Sequence, residues 1–144
     1  MNPMLAQPID ALGEFLAHAL ELEQESAERY RELAGSMSVH NNPRTAELFA
    51  QLAGYGDSHA AEVRGRAAGI ALPQLAPWDF KWTHPESPEA GCMEDAHYLM
   101  TPCQALELAL HNEVRGRDFY AEVAASSTDP EVARLAREMA SEED

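Results

Sequence analysis

Apolar residues recur at helical spacing from about Asp10 to Met37, where Leu12, Phe15, Leu16, Ala19, Leu22, Ala27, Tyr30 and Leu33 form one stripe. This pattern predicts a long amphipathic helix over 10–37. Asn42-Pro43 then supplies an N-cap and a proline at the first helical position. Leu48, Phe49, Leu52, Ala60 and Val63 carry a second helix over 43–68, with Gly65 or Gly69 as its stop. Between 69 and 101 the prolines at 73, 77, 85 and 88 exclude a long helix, so this stretch reads as a crossover, pinned to the rest by Trp78, Phe80 and Trp82. Thr101-Pro102-Cys103-Gln104 combines an N-cap, a proline at N1 and a reciprocal acceptor at N3, opening a third helix over 102–125. Asp129-Pro130 opens a fourth, over 130–144, with Val132, Leu135, Ala136, Met139 and Ala140 as its apolar stripe. No stop signal follows Met139, from which a tail beyond Asp144 is expected.

The two halves repeat one another. Glu23 to Tyr30 (EQESAERY) and Glu113 to Tyr120 (EVRGRDFY) each place a glutamate seven residues before a tyrosine, at an offset of 90. The second and fourth helices match from Asn42-Pro43 and Asp129-Pro130 at an offset of 87. Two short helix–helix turns joined by one long connection predict an all-α, ferritin-like four-helix bundle of two antiparallel hairpins, forming a single domain over 1–144.

Composition narrows the partners. Ten basic against 25 acidic residues give a formal charge of -15, a field that repels phosphate backbones and anionic headgroups, so neither nucleic acid nor membrane is an expected partner. No run approaches the roughly 18 apolar residues of a membrane helix. The start, Met1-Asn2-Pro3-Met4, lacks the basic and apolar segments of an export signal, and two cysteines do not make a disulfide scaffold. A reducing, cytoplasmic location is the expectation.

On these helices four polar residues fall in phase with the apolar stripes. Glu23 lies four beyond Ala19 and seven before Tyr30; Glu113 lies seven beyond Leu106 and seven before Tyr120; His59 lies seven beyond Leu52; and Glu143 lies four beyond Met139. A carboxylate in an apolar interior needs a partner or an ion. Oxygen ligands with imidazole suit iron or manganese in the +2 state, with zinc as a further substitute, so Glu23, His59, Glu113 and Glu143 are the candidate metal ligands. Buried ion pairs to Arg64, Arg66, Arg115 or Arg117, solvent exposure, and for His59 a simple hydrogen bond, are the structural alternatives. Tyr30 and Tyr120 read as core aromatics with satisfied hydroxyls, or as groups bonded to such ligands. His84, Cys92, His97 and Cys103 lack the Cys-x-x-Cys spacings of a zinc site.

The segments LELEQESAERYRELA (20–34), AELFAQLAGYGDSHAAEV (46–63), LELALHNEVRGRDFYAEVA (106–124) and EVARLAREMASEED (131–144) resemble the ferritin-like carboxylate proteins of the rubrerythrin type. In that family the first and third helices each give a glutamate, and the second and fourth each give a Glu-x-x-His pair, around two irons. The resemblance implies that Glu23, Glu113 and Glu143 are carboxylate ligands and His59 the second-helix imidazole. It also implies oxidation of Fe(II) by peroxide or dioxygen, as a ferroxidase or a rubrerythrin-like peroxidase.

The chain departs from the pattern at three places. Gly56 stands where the second-helix glutamate belongs, with Asp57 about 100° round the helix; Gly116 replaces a further third-helix glutamate; and no Cys-x-x-Cys iron domain is present. The ligand set is therefore short of a two-iron centre, unless Glu21, Glu25, Glu62 or Glu107 of a neighbouring subunit completes it. The alternative is a bundle that binds metal weakly or not at all and serves as an interaction or assembly module. Val114, Phe119 and Val123 beside Tyr120 widen the apolar face of the third helix and suggest a homodimer.

Overall fold

The computed structural model describes residues 9–75, 80–82 and 99–142. Its elements are α1 (Leu12–Val39), α2 (Pro43–Arg66), α3 (Pro102–Ser126) and α4 (Pro130–Glu142). They form an all-α, ferritin-like bundle of two antiparallel helix pairs, α1–α2 and α3–α4, joined by the crossover. No helix among the described residues is long and apolar enough to cross a membrane.

Local chemistry fixes the ends. Thr101 accepts from the Gln104 amide N–H at 3.2 Å while the Gln104 side chain accepts from the Thr101 amide N–H at 2.9 Å, the reciprocal cap expected from sequence. Asp129 accepts from the Glu131 N–H at 2.9 Å and so opens α4. Asn42 departs from its expected capping role. Its amide group donates to the Met100 carbonyl at 2.8 Å, and the Thr45 hydroxyl donates to the same oxygen at 2.9 Å. The starts of α2 and α3 are therefore stitched together at one end of the bundle. At the other end Asp10 accepts from the Thr128 N–H at 2.6 Å, tying the entry of α1 to the α3–α4 turn. These two ties set the directions: α2 and α3 run one way, α1 and α4 the other. Asn41 takes a positive φ of 59° in the α1–α2 turn, and Gly69 one of 80° beyond α2, which ends at Arg66.

The interior is divided into two apolar clusters. One, near the α3–α4 turn, gathers Phe15, Leu16, Leu22, Val63, Phe119, Tyr120, Val132, Leu135 and Met139. The other, toward the α1–α2 turn, gathers Tyr30, Met37, Phe49, Met100, Leu108 and Ala109. At intermediate positions along α1 and α3 lie the buried polar residues Glu23, Ser26 and Asn112.

The crossover is pinned by aromatics as the sequence implies. The rings of Phe80 and Trp82 lie 5.0 and 5.1 Å from that of the fully buried His18, and Trp82 lies 5.0 Å from Phe119. Both imidazole nitrogens are used. Nε2 accepts from the Lys81 amide N–H at 2.8 Å, so Nδ1 carries the proton and donates to the Glu14 carbonyl at 2.8 Å. The Lys81 ammonium closes the clamp on the Glu14 carboxylate at 2.6 Å. Trp78, His84, Cys92 and His97 lie outside the described residues; Cys103 is an exposed free thiol.

Candidate metal centre

Glu23 and His59 meet across the α1–α2 interface. The Glu23 side chain is buried in the polar layer, and one carboxylate oxygen lies 3.4 Å from Nδ1 of His59. The other accepts from the hydroxyl of the fully buried Tyr120 at 3.5 Å, which brings α3 to the same point. Tyr120 packs edge-on against Phe15, with ring centroids 6.0 Å apart. The carboxylate is thus partnered by side chains from two other helices. Beside it opens a cavity of about 350 Å³, bounded by Glu23, His59, Glu62, Arg66, Tyr120 and Glu142, with Val63 and Met139 as apolar wall. Arg66 spans part of its mouth through ion pairs to Glu138 at 3.1 Å and Glu142 at 3.0 Å.

Of the other predicted ligands, Glu113 does not join this pair. Glu113 is exposed: the buried stripe of α3 runs through Leu108, Asn112, Gly116, Phe119 and Val123, which turns the glutamate outward at its rim. The inward position belongs to Asn112, whose amide donates to the Tyr30 hydroxyl at 3.5 Å. Tyr30 itself is a core aromatic, its ring 6.0 Å from that of Phe49. Glu143 lies outside the described residues. Asp57 is exposed and engaged by Arg31 at 2.8 Å.

Gly56 explains the missing second-helix carboxylate in packing terms. A Cβ at that position would lie 2.9 Å from Cβ of Ala27, 3.2 Å from its Cα and 3.3 Å from its amide nitrogen. The α1 and α2 backbones approach so closely there that no side chain fits between them. A two-iron centre needs a carboxylate where α1 backbone now stands. Among the described residues no group of three or more His, Cys, Asp and Glu side chains is arranged to hold a metal ion. Among the described residues, Gly56 leaves the second-helix carboxylate position of a two-iron centre without a side chain.

Asn112 and His18 are two buried polar residues that the spacing argument missed. Both carried a signal: Asn112 lies seven before Phe119, and His18 lies three after Phe15 and four before Leu22.

No family model and no curated protein matches the chain. Among solved structures it is similar to an uncharacterized conserved protein from Magnetospirillum magnetotacticum, at 47% identity over 92% of this chain and 86% of that one, with a TM-score of 0.67. The chain belongs to that protein's family. Identity at this level over nearly the whole length carries the four-helix fold from one member to the other.

Proposed function

We propose that this chain is a ferritin-like bundle that binds metal weakly or not at all and acts as an interaction or assembly module. The observation that carries this reading is the contact of Gly56 with Ala27, which fills a ligand position with packed backbone. Glu23 is held by protein groups instead: His59 on one oxygen, Tyr120 on the other. Such a pairing satisfies a buried carboxylate without an ion.

The second reading is a non-haem iron protein oxidising Fe(II) with peroxide or dioxygen. It is favoured by the retained Glu23–His59 pair beside a cavity that also presents Glu62 and Glu142. Those residues would hold at most one ion between α1 and α2, and iron bound there would supply redox chemistry.

Anaerobic titration of the purified protein with Fe(II), followed by exposure to peroxide, separates the two. Substoichiometric, weak binding and no oxidation faster than that of free Fe(II) are expected. Tight uptake of two ions per chain, with accelerated oxidation, would establish the iron reading in its place.

A further inference from the structure

Phe119 and Val123, which the sequence places on an open dimer face of α3, are buried in the chain's own core. Part of the cover over Phe119 comes from α1 and the crossover. The His18 imidazole stacks on its ring at 13°, with centroids 6.2 Å apart, and Trp82 meets it edge-on at 5.0 Å. Phe80 and Trp82 are themselves stacked, 5.3 Å apart, so residues 80–82 lie as a strap over His18. Two polar bonds tie this strap to α1: the Lys81 amide N–H donates to Nε2 of His18, and the Lys81 ammonium pairs with the Glu14 carboxylate. The first exists only while Nε2 is unprotonated.

We propose that His18 is an acid-operated latch: a proton taken up on Nε2 releases residues 80–82 from α1 and α3 while the four helices stay folded. The bonding of the ring makes the effect selective. An imidazolium donates from both nitrogens, so Nδ1–H keeps its bond to the Glu14 carbonyl inside α1, while Nε2–H sets a donor against the Lys81 N–H. Of these two ring bonds, the one lost is the one to the strap.

The surrounding charges act in the same sense. Among the described residues, α1 brings the Glu14 carboxylate to the ring and the strap brings the Lys81 ammonium; α3 meets it with the uncharged Phe119. Asp10, ahead of α1, acts on Lys81. When the strap leaves, the ammonium leaves with it, the ring gains water, and Glu14 stays one turn away on α1 to face the cation. Each change favours the protonated ring in the open form over the closed one, in which burial holds its pKa below the ordinary histidine range. The latch is therefore shut above the ordinary imidazole pKa and loosens as pH falls below it. The helices have other supports: Leu16, Leu22, Val132 and Leu135 share an apolar cluster, and Asp10 ties the entry of α1 to the α3–α4 turn through Thr128. Local opening of such a segment needs less free energy than unfolding of the bundle.

Native-state amide hydrogen exchange, read by NMR on the full chain, tests this. The protection factor of the Lys81 amide should lie at least about tenfold below those of core amides such as Leu22 and Val123, and should fall about tenfold per pH unit between about pH 6 and about pH 5. Far-ultraviolet circular dichroism should stay constant over that range. In His18→Gln, whose side-chain oxygen accepts the same N–H without titrating, the Lys81 factor should not vary with pH. Lys81 protection equal to that of the core amides at every pH would show that the strap leaves only when the bundle unfolds, and would overturn the latch. So would a Lys81 factor that ignores pH in the unaltered chain, or one that still falls with pH in His18→Gln.

Discussion

Replacing Gly56 with alanine is expected to lower stability by about 1–2 kcal/mol, whereas the same change at Gly54 raises it by about 0.5–1 kcal/mol. Both glycines lie within α2, so the gain in helix propensity is common to them. The difference lies in what the added methyl meets. Nothing lies within 4 Å of a Cβ at Gly54, while at Gly56 it would press against Cβ, Cα and the amide nitrogen of Ala27. Ala27 has no rotamer through which to yield, so α1 and α2 must separate. Gly56→Glu, which would restore the family's carboxylate on paper, combines this overpacking with a charge forced into a closed interface. It is expected to cost about 4 kcal/mol or more and to gain no iron. Urea unfolding of the three variants checks the signs. A stabilised Gly56→Ala protein would mean that the two helices are not in close contact, and the main objection to a ligand at this position would go.

The second large effect is at His18. His18→Ala is expected to destabilise by about 3–4 kcal/mol, since it removes a fully buried ring packed on Phe80, Trp82 and Phe119 and leaves the Lys81 N–H without its acceptor. The same residue gives a pH dependence. Burial holds the His18 imidazole below the ordinary histidine range; the bond to the Glu14 carbonyl and the Glu14 carboxylate oppose this, and the Lys81 ammonium adds to it. Its folded pKa is therefore depressed, so the unfolded chain takes up a proton that the native chain refuses. Stability is full above the ordinary imidazole pKa and is lost as pH falls from there toward the depressed value. Tryptophan fluorescence followed through urea unfolding at a series of pH values should show this loss in the unaltered protein. In His18→Phe the loss should be smaller by the one proton that His18 takes up. An equal loss in both proteins would place the titrating group elsewhere.

Much of the fold was legible because local chemistry wrote it. The proline-led starts at Asn42-Pro43, Thr101-Pro102 and Asp129-Pro130 mark α2, α3 and α4 within a residue, and the internal repeat pairs the hairpins. The Glu23–His59 approach was legible in part: Glu23 sits in the buried stripe of α1, while His59 is exposed and stands at the rim of the α2 stripe, one residue before buried Ala60. Glu113 stands outside the buried stripe of α3 for an identifiable reason. Its phase was reckoned from Leu106 and Tyr120, but Leu106 belongs to the open side of α3, and the buried stripe is centred nearer Asn112 and Gly116. A seven-residue step also drifts about 20° on a straight helix, enough to move a rim residue outward. Gly56 was read as a position that lacks the family's carboxylate. That it is also a close approach of α1 to α2 depends on Ala27, a tertiary neighbour that no periodicity in α2 encodes.

The most direct test of the central claim is anomalous diffraction at the iron absorption edge from crystals soaked anaerobically in Fe(II). Backbone packing at Gly56 predicts either no peak or a single weak one between Glu23 and His59. Two strong peaks about 3.5–4 Å apart within one bundle, the separation of a paired metal centre, would contradict it.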